Sequence, residues 1–145
     1  MIRDLPSLIS ESRAAGNLTP LVSGIPYFRF LGLQVRMEAE GPVCILPADQ
    51  KLIGNPRLPA LHGGVVGALL EAVSIIHLIW ESDSDALPKI VDLSIDYLRS
   101  AKPVETYARA IITKHGRRVA NVRAEAWNTE PDRPVAVSHA HFLLG

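Results

Sequence analysis

Apolar and polar positions alternate along this chain in two distinct rhythms, and one stretch has no rhythm at all. From Leu61 to Trp80 the run LHGGVVGALLEAVSIIHLIW is apolar at nearly every position. At helical rise it makes a rod about 30 Å long, and Val65, Val66, Leu69, Leu70, Val73, Ile76 and Ile79 spread around its whole circumference. A helix apolar on every side must be surrounded.

Past Pro88 the rhythm has period two. Val91, Leu93, Ile95 and Tyr97 alternate with Asp92, Ser94 and Asp96, which predicts a half-buried strand over Ile90–Leu98. Val104–Thr113 is the next strand, and Lys114-His115-Gly116-Arg117 the turn after it. Residues 118–128 then carry Val119, Asn121, Arg123, Glu125 and Trp127 on one face and Ala120, Val122, Ala124 and Ala126 on the other. Small side chains on that second face would let a helix approach closely. A turn over Thr129–Pro134 and a strand over Val135–Leu144 complete the chain.

Ahead of the apolar rod, Ile2, Leu5, Leu8 and Ile9 stand at helical spacing and predict a helix from Ile2 to Ala15, closed by Gly16-Asn17. Thr19–Phe30 reads as a helical turn and a loop. Strands are expected over Leu31–Met37 and Val43–Pro47, around the turn Glu40-Gly41-Pro42. Ala48–Pro59 is a proline-punctuated loop feeding the rod. Helices segregated from strands, and strands joined by short turns, give an α+β class with antiparallel pairing.

At 145 residues the chain is one domain, with an N-terminal helical extension over about 1–30. Fifteen basic residues balance fifteen acidic ones, so no overall field draws in nucleic acid or anionic lipid. Cys44 is the single cysteine, which excludes an intramolecular disulfide; its apolar neighbours Val43, Ile45 and Leu46 predict a buried, inert thiol. Charges and Pro6 stand where a secretory signal would have its apolar core, so the cytoplasm is expected. Residues 61–80 have the length of a membrane span, but Glu71, His62, His77 and three glycines argue against one.

Glu71 is the feature that asks for chemistry. An unpartnered buried carboxylate is costly, so Glu71 either snorkels or bonds a backbone group in a structural core helix, or is held in a cleft as base or nucleophile. The rod opens with His62-Gly63-Gly64, and the N–H groups at a helix start, bared by Gly63 and Gly64, form a donor pair suited to an oxyanion. A carboxylate in dry surroundings could deprotonate water or attack an acyl carbon. Nine residues along a helix turn through about 900° and rise about 13 Å, which puts His62 and Glu71 on nearly opposite sides. A shared site therefore requires the helix start of one chain and Glu71 of another, predicting a symmetric homodimer.

Other polar residues carry weaker signals. Asn55 precedes Pro56 and serves either turn chemistry or a ligand. Arg99, Lys102, Arg117 and Arg118, near strand ends and turns, are either solvated surface charge or contacts for phosphates. His139 and His141 face one side of a strand without a third ligand, so no metal is expected. Tyr27, Phe28, Trp80 and Trp127 are packing residues or walls of an acyl pocket.

His62-Gly63-Gly64 with Glu71 on the helix, the strand Asp92-Leu93-Ser94-Ile95-Asp96-Tyr97-Leu98-Arg99 and the turn Gly116-Arg117 occur in an order that resembles the hotdog-fold acyl-CoA thioesterases of the phenylacetate-degradation (PaaI-like) type. The likeness runs from about Gly32 to the C-terminus. It implies an antiparallel sheet wrapped around the helix over about 61–80, a homodimer formed edge to edge that can pair into a dimer of dimers, and an acyl-CoA thioester bound between protomers. It further implies that the Gly63 N–H polarises the thioester carbonyl, that Glu71 is the catalytic carboxylate, and that Asn55 assists. No separate cofactor is implied, coenzyme A being part of the substrate. Two positions depart from the pattern: Asn55 is one residue farther from His62 than is usual, and Ile90 stands where relatives often place Ser or Thr. Ser74, one turn beyond Glu71, could supply a hydroxyl instead. The function expected is thioester hydrolysis; the alternatives are an acyl-CoA-binding or sensing hotdog module and, further off, a hotdog hydratase or dehydratase.

Overall fold

The computed structural model describes residues 4–145, so Ile2 of the expected first helix lies outside the described residues. Three helices lead: α1 (Leu5–Ala15), α2 (Thr19–Gly24) and α3 (Pro26–Leu31). The strands β1 (Gln34–Glu38) and β2 (Gly41–Leu46) follow, then a 3-10 turn (Gln50–Leu52) and a small ribbon of β3 (Ile53–Asn55) and β4 (Ala60–Leu61). The long helix α4 (Gly63–Glu81) comes next, and β5 (Lys89–Tyr97), β6 (Thr106–His115), β7 (Val119–Trp127) and β8 (Ala136–Leu143) close the chain.

Six strands form one antiparallel sheet in the order β1-β2-β6-β7-β8-β5. Its concave face is built of small residues: Ala108, Ala110, Ala120, Ala124, Ala126, Ala136 and Ala140 are all buried. This is the alanine face expected of β7, extended across its neighbours. With alanine at most positions of that face, beside the larger Val122 and Phe142, the sheet closes on α4 through β2, β6, β7 and β8. The helix answers with Leu69, Leu70, Val73, Ile76 and Leu78, each fully buried and each contributing about 1.5–3 kcal/mol by leaving water. Although α4 is long and apolar enough to cross a membrane, its side chains belong to a cluster shared with the sheet and with Leu8, Ile9, Leu21 and Phe28 of the N-terminal helices. Cys44 is buried in the same cluster, and burial pushes its thiol up from 9.0 to about 12, far from reactive.

Some boundaries differ from the expected ones. Residues 19–31 form two short helices, each with proline in its first turn, where the fixed φ of proline suits a helix start. Leu31 therefore ends α3 instead of opening a strand, and Gly32 caps it at φ 72°. The stretch expected to be loop contains β3, and β4 follows directly after it, both too short to show any alternation. Leu61 falls in β4, so the long helix starts at Gly63.

The far end of α4 is held by α1. Asp4 caps α1 by accepting from Ser7 N–H (3.0 Å), and Arg13 near its end reaches over the α4 terminus. Its guanidinium donates to the carbonyls of Ser82 (2.5 Å) and Ser84 (2.6 Å) and to Asp85 Oδ1 (2.7 Å). A cation placed there also meets the negative end of the helix dipole.

One turn earlier, His77 is 6% exposed, with Nε2 3.5 Å from Glu81 Oε1 and no hydrogen-bond partner for Nδ1 among the described residues. Gly41, at φ 128°, lies against its ring so closely that a Cβ there would sit 2.6 Å from Cε1. Burial lowers the imidazole pKa below its ordinary 6.5, against the opposing pull of Glu81 and the nearby Ala110 carbonyl. The unfolded imidazole therefore takes up its proton at a higher pH than the folded one. Stability is full above 6.5 and declines as pH falls toward the folded value. Urea midpoints measured from about pH 7 down to about pH 5 should fall more for the native protein than for His77→Gln. Parallel curves would remove His77 as the cause.

Candidate functional site

The start of α4 is assembled from segments far apart in sequence. Leu61 N–H donates to the Ala101 carbonyl and His62 N–H to the Leu52 carbonyl, both at 2.9 Å. Gly54 packs against the His62 backbone; a Cβ on Gly54 would come within 2.7 Å of His62 Cα. So held, His62 is extended (φ −61°, ψ 132°) and caps the helix, its Nδ1 accepting from Gly64 N–H at 2.9 Å. That geometry places the ring proton of a neutral His62 on Nε2. Val65 and Val66 both donate to the His62 carbonyl (2.9 and 3.3 Å).

Among the described residues this leaves Gly63 N–H as the one first-turn donor without an acceptor. The expected pair of glycine donors is thus corrected to one. Gly64 N–H is taken by His62, because an imidazole two residues back is the right length to close the cap.

Gly63 faces a groove of about 280 Å³ lined by Ala60, Val66, Tyr97, Leu98 and Arg99. Through Arg99, Ser100 and Val135 this groove adjoins a second hollow of about 310 Å³, where Lys102, Asn128 and Arg133 join Arg99. Asn128 shapes the wall, accepting from Lys102 N–H (2.9 Å) and donating to Thr106 Oγ1 (2.9 Å). The Arg99 guanidinium donates to the Pro134 carbonyl. Arg133 and Asn128 escaped sequence reasoning, since they sit at the β7–β8 turn and meet Arg99 only through the pairing of β5 with β8 and β8 with β7.

Glu71 lies about 12 Å farther along the helix than Gly63. It is half-buried, on a stripe with Gly64, Ala68 and Ile75 that spans about 60° of the helix circumference. Its carboxylate makes no hydrogen bond or ion pair with the described residues. The expected sequestration is therefore incomplete within one chain, because the sheet covers the other faces of α4 and leaves this stripe partly open. Of the two forms of the core-helix alternative, the bond to a backbone group is not found among the described residues, while the half-buried position of Glu71 fits a carboxylate that snorkels.

The remaining candidates disperse. Ser74 is fully buried, its hydroxyl donating to the Leu70 carbonyl (2.8 Å) one turn back, so it is turned away from any ligand in the single chain. Asn55 Oδ1 accepts from Arg57 N–H (3.0 Å), the turn chemistry expected ahead of Pro56. Arg117 and Arg118 stand at the β6–β7 turn, beside the C-terminal half of α4. Sequence proximity to turns could not separate them from Arg99 and Lys102, which lie at the opposite end of the sheet. His141 Nδ1 is 2.7 Å from Asp92 Oδ1 on the outer face. Another cavity, about 580 Å³, lies between the β1–β2 turn and β6 and is lined by neither Gly63 nor Glu71.

Residues 58–135 match the family model of the thioesterase superfamily. A medium/long-chain acyl-CoA thioesterase of Escherichia coli, YigI, is 24% identical over 135 residues, covering 83% of this chain and 86% of its own. A solved structure from Chromobacterium violaceum shares 38% identity with a TM-score of 0.77, covering 94% of this chain and 96% of that one. A phenylacetic acid degradation-related protein of Ralstonia eutropha JMP134 superposes with a TM-score of 0.74 at 24% identity, covering 94% of this chain and 99% of its own. The sheet wrapped on one long helix is the hotdog architecture that the sequence motifs imply.

The cap at His62 has a measurable consequence. His62→Ala should lower stability by about 1 kcal/mol, the usual cost of an N-cap, whereas His62→Asn should recover most of it. Urea midpoints with unchanged slope decide this, and equal midpoints for all three proteins would show that the imidazole does not cap α4.

Proposed function

The chain belongs to the thioesterase superfamily, a superfamily of thioester hydrolases, and we propose that it hydrolyses acyl-CoA thioesters at a site shared between two copies. The carrying observation is the unpartnered Gly63 N–H at the positive end of α4, facing a groove that leads to a basic hollow. A half-buried first-turn donor that no protein group satisfies is left for water or a ligand, and the helix terminus adds attraction for an anion. A thioester carbonyl fits there, its oxygen gaining negative charge as the acyl carbon becomes tetrahedral. The apolar groove takes the acyl end or the pantetheine arm, and Arg99, Lys102 and Arg133 meet phosphates. The name of the Escherichia coli relative points to the same substrate class.

Glu71 supplies the second half of the chemistry. It either takes a proton from water as that water attacks the acyl carbon, or attacks the carbon itself to give an anhydride that water then opens. In both routes the C–S bond breaks and the thiolate leaves with its electron pair to be protonated. Its distance along the helix from Gly63 requires the two groups to come from different chains. The β5 edge supports that assembly: it is one of the two margins of the sheet, β1 being the other, with Ile90 and Val91 exposed along it, and an unpaired edge is a template for another strand. Two copies joined there form a twofold dimer with two sites.

Thiol release from a panel of acyl-CoAs tests the activity. Glu71→Gln should lower turnover about 10²–10⁴-fold, the usual contribution of a positioned acid or base. Gly63→Pro removes the N–H yet keeps a good first helical residue, since proline suits that position and His62 is already extended. It should cost about 10²–10³-fold. Mixing the two variants in equal amounts and allowing subunits to exchange makes half the dimers mixed, each with one intact site, and should restore about a quarter of native activity. No recovery would place both groups in one chain. Binding of acyl-CoA without thiol release would instead mark a sensing module, and a change in enoyl absorbance a hydratase.

A further inference from the structure

The peptide between Gly63 and Gly64 is gripped at both ends. Its N–H donates to Nδ1 of His62 (2.9 Å), and its carbonyl accepts from the phenol of Tyr97 (2.7 Å). Tyr97 is the last residue of β5, and the chain after it is fixed by Leu98 and Arg99 N–H groups donating to the Val135 carbonyl (2.8 and 3.3 Å). The phenol is thus delivered by the sheet onto the first turn of the helix. Its ring lies beside Gly63, where an added Cβ would be 3.5 Å from Cε1, Cζ and Oη. Tyr97 is 55% exposed, so water could satisfy its hydroxyl. Burial therefore does not force this hydrogen bond.

Two successive glycines make this the loosest point of the helix start, because neither has a Cβ to restrict its backbone angles. An oxyanion donor works only if it is aimed before the charge develops. We propose that Tyr97 is a positioning residue: together with His62 it locks the Gly63–Gly64 peptide, and the lock fixes the direction of the Gly63 N–H. The phenol has given its one proton to the Gly63 carbonyl, so it has none for substrate and acts through the backbone alone. The kinetic part of this inference rests on the thioesterase reading; the lock itself does not.

Tyr97→Phe removes the hydroxyl and keeps the ring. If the native protein releases thiol from an acyl-CoA, the variant should show kcat lowered about five- to tenfold, the scale of one net hydrogen bond, with KM within about twofold. The Gly64 amide, followed by NMR, should exchange its hydrogen about tenfold faster than in the native protein, as local opening becomes easier. A kcat within about twofold of native, or a loss carried by KM alone, would overturn the positioning role. So would a defect that appears only in Tyr97→Leu, which removes the ring as well. If the native protein releases no thiol from any acyl-CoA, the proposed function fails by itself, and Gly64 exchange still decides: an unchanged rate in Tyr97→Phe overturns the lock.

Discussion

The close approach of α4 to an alanine-faced sheet is the constraint from which the other features of this protein follow. A helix apolar on all sides gains most when every side chain leaves water, and side chains larger than alanine at 108, 120, 124, 126 and 136 would hold the sheet away from it. Once the two surfaces meet, the start of α4 is carried to the end of β5, where Tyr97 and Arg99 stand, and its end to the β1–β2 turn and to α1. The polar groups at the two helix ends are placed by apolar packing they do not themselves contribute to.

Those two ends are treated differently. At the C-terminus the Arg13 guanidinium gathers the carbonyls of Ile79 in the last turn, of Ser82 at the cap and of Ser84 in the loop beyond. At the N-terminus the first-turn donors of Gly64, Val65 and Val66 have acceptors and that of Gly63 has none among the described residues. A half-buried donor left open at a helix start is one that water or a ligand can fill. That donor sits beside a groove whose neighbouring hollow holds Arg99, Lys102 and Arg133, a setting that favours negative charge.

Much of this was legible in the residues. The alternation over 90–98 and 118–128 carries both the strands and their faces, because a side-chain period of two survives any tertiary context that buries one face. The apolar rod was equally plain. The two short helices over 19–31 were not, since neither is long enough to display a helical period, and the β3–β4 ribbon gave no pattern for the same reason. At the site, His62, Gly63 and Glu71 could be chosen from motif and chemistry. Arg133 and Asn128 could not: nothing near them in sequence distinguishes them from ordinary turn residues, and Arg117 with Arg118 looked just as suitable.

By itself the sequence determined the α+β class, the buried helix, the alanine face opposing it and the residue types able to do acyl chemistry, all of which depend on local periodicity or side-chain identity. Tertiary structure alone decided which of those residues meet. Strand order put β5 beside β8 and so brought Tyr97, Arg99 and Arg133 to the mouth of the Gly63 groove, while it carried Arg117 and Arg118 to the other end of the sheet. The packing of Gly54 on His62 turned a nominal pair of glycine donors into one. Hydrogen-bond partners far apart in the chain are chosen by how the layers stack, and no spacing along the sequence encodes that choice.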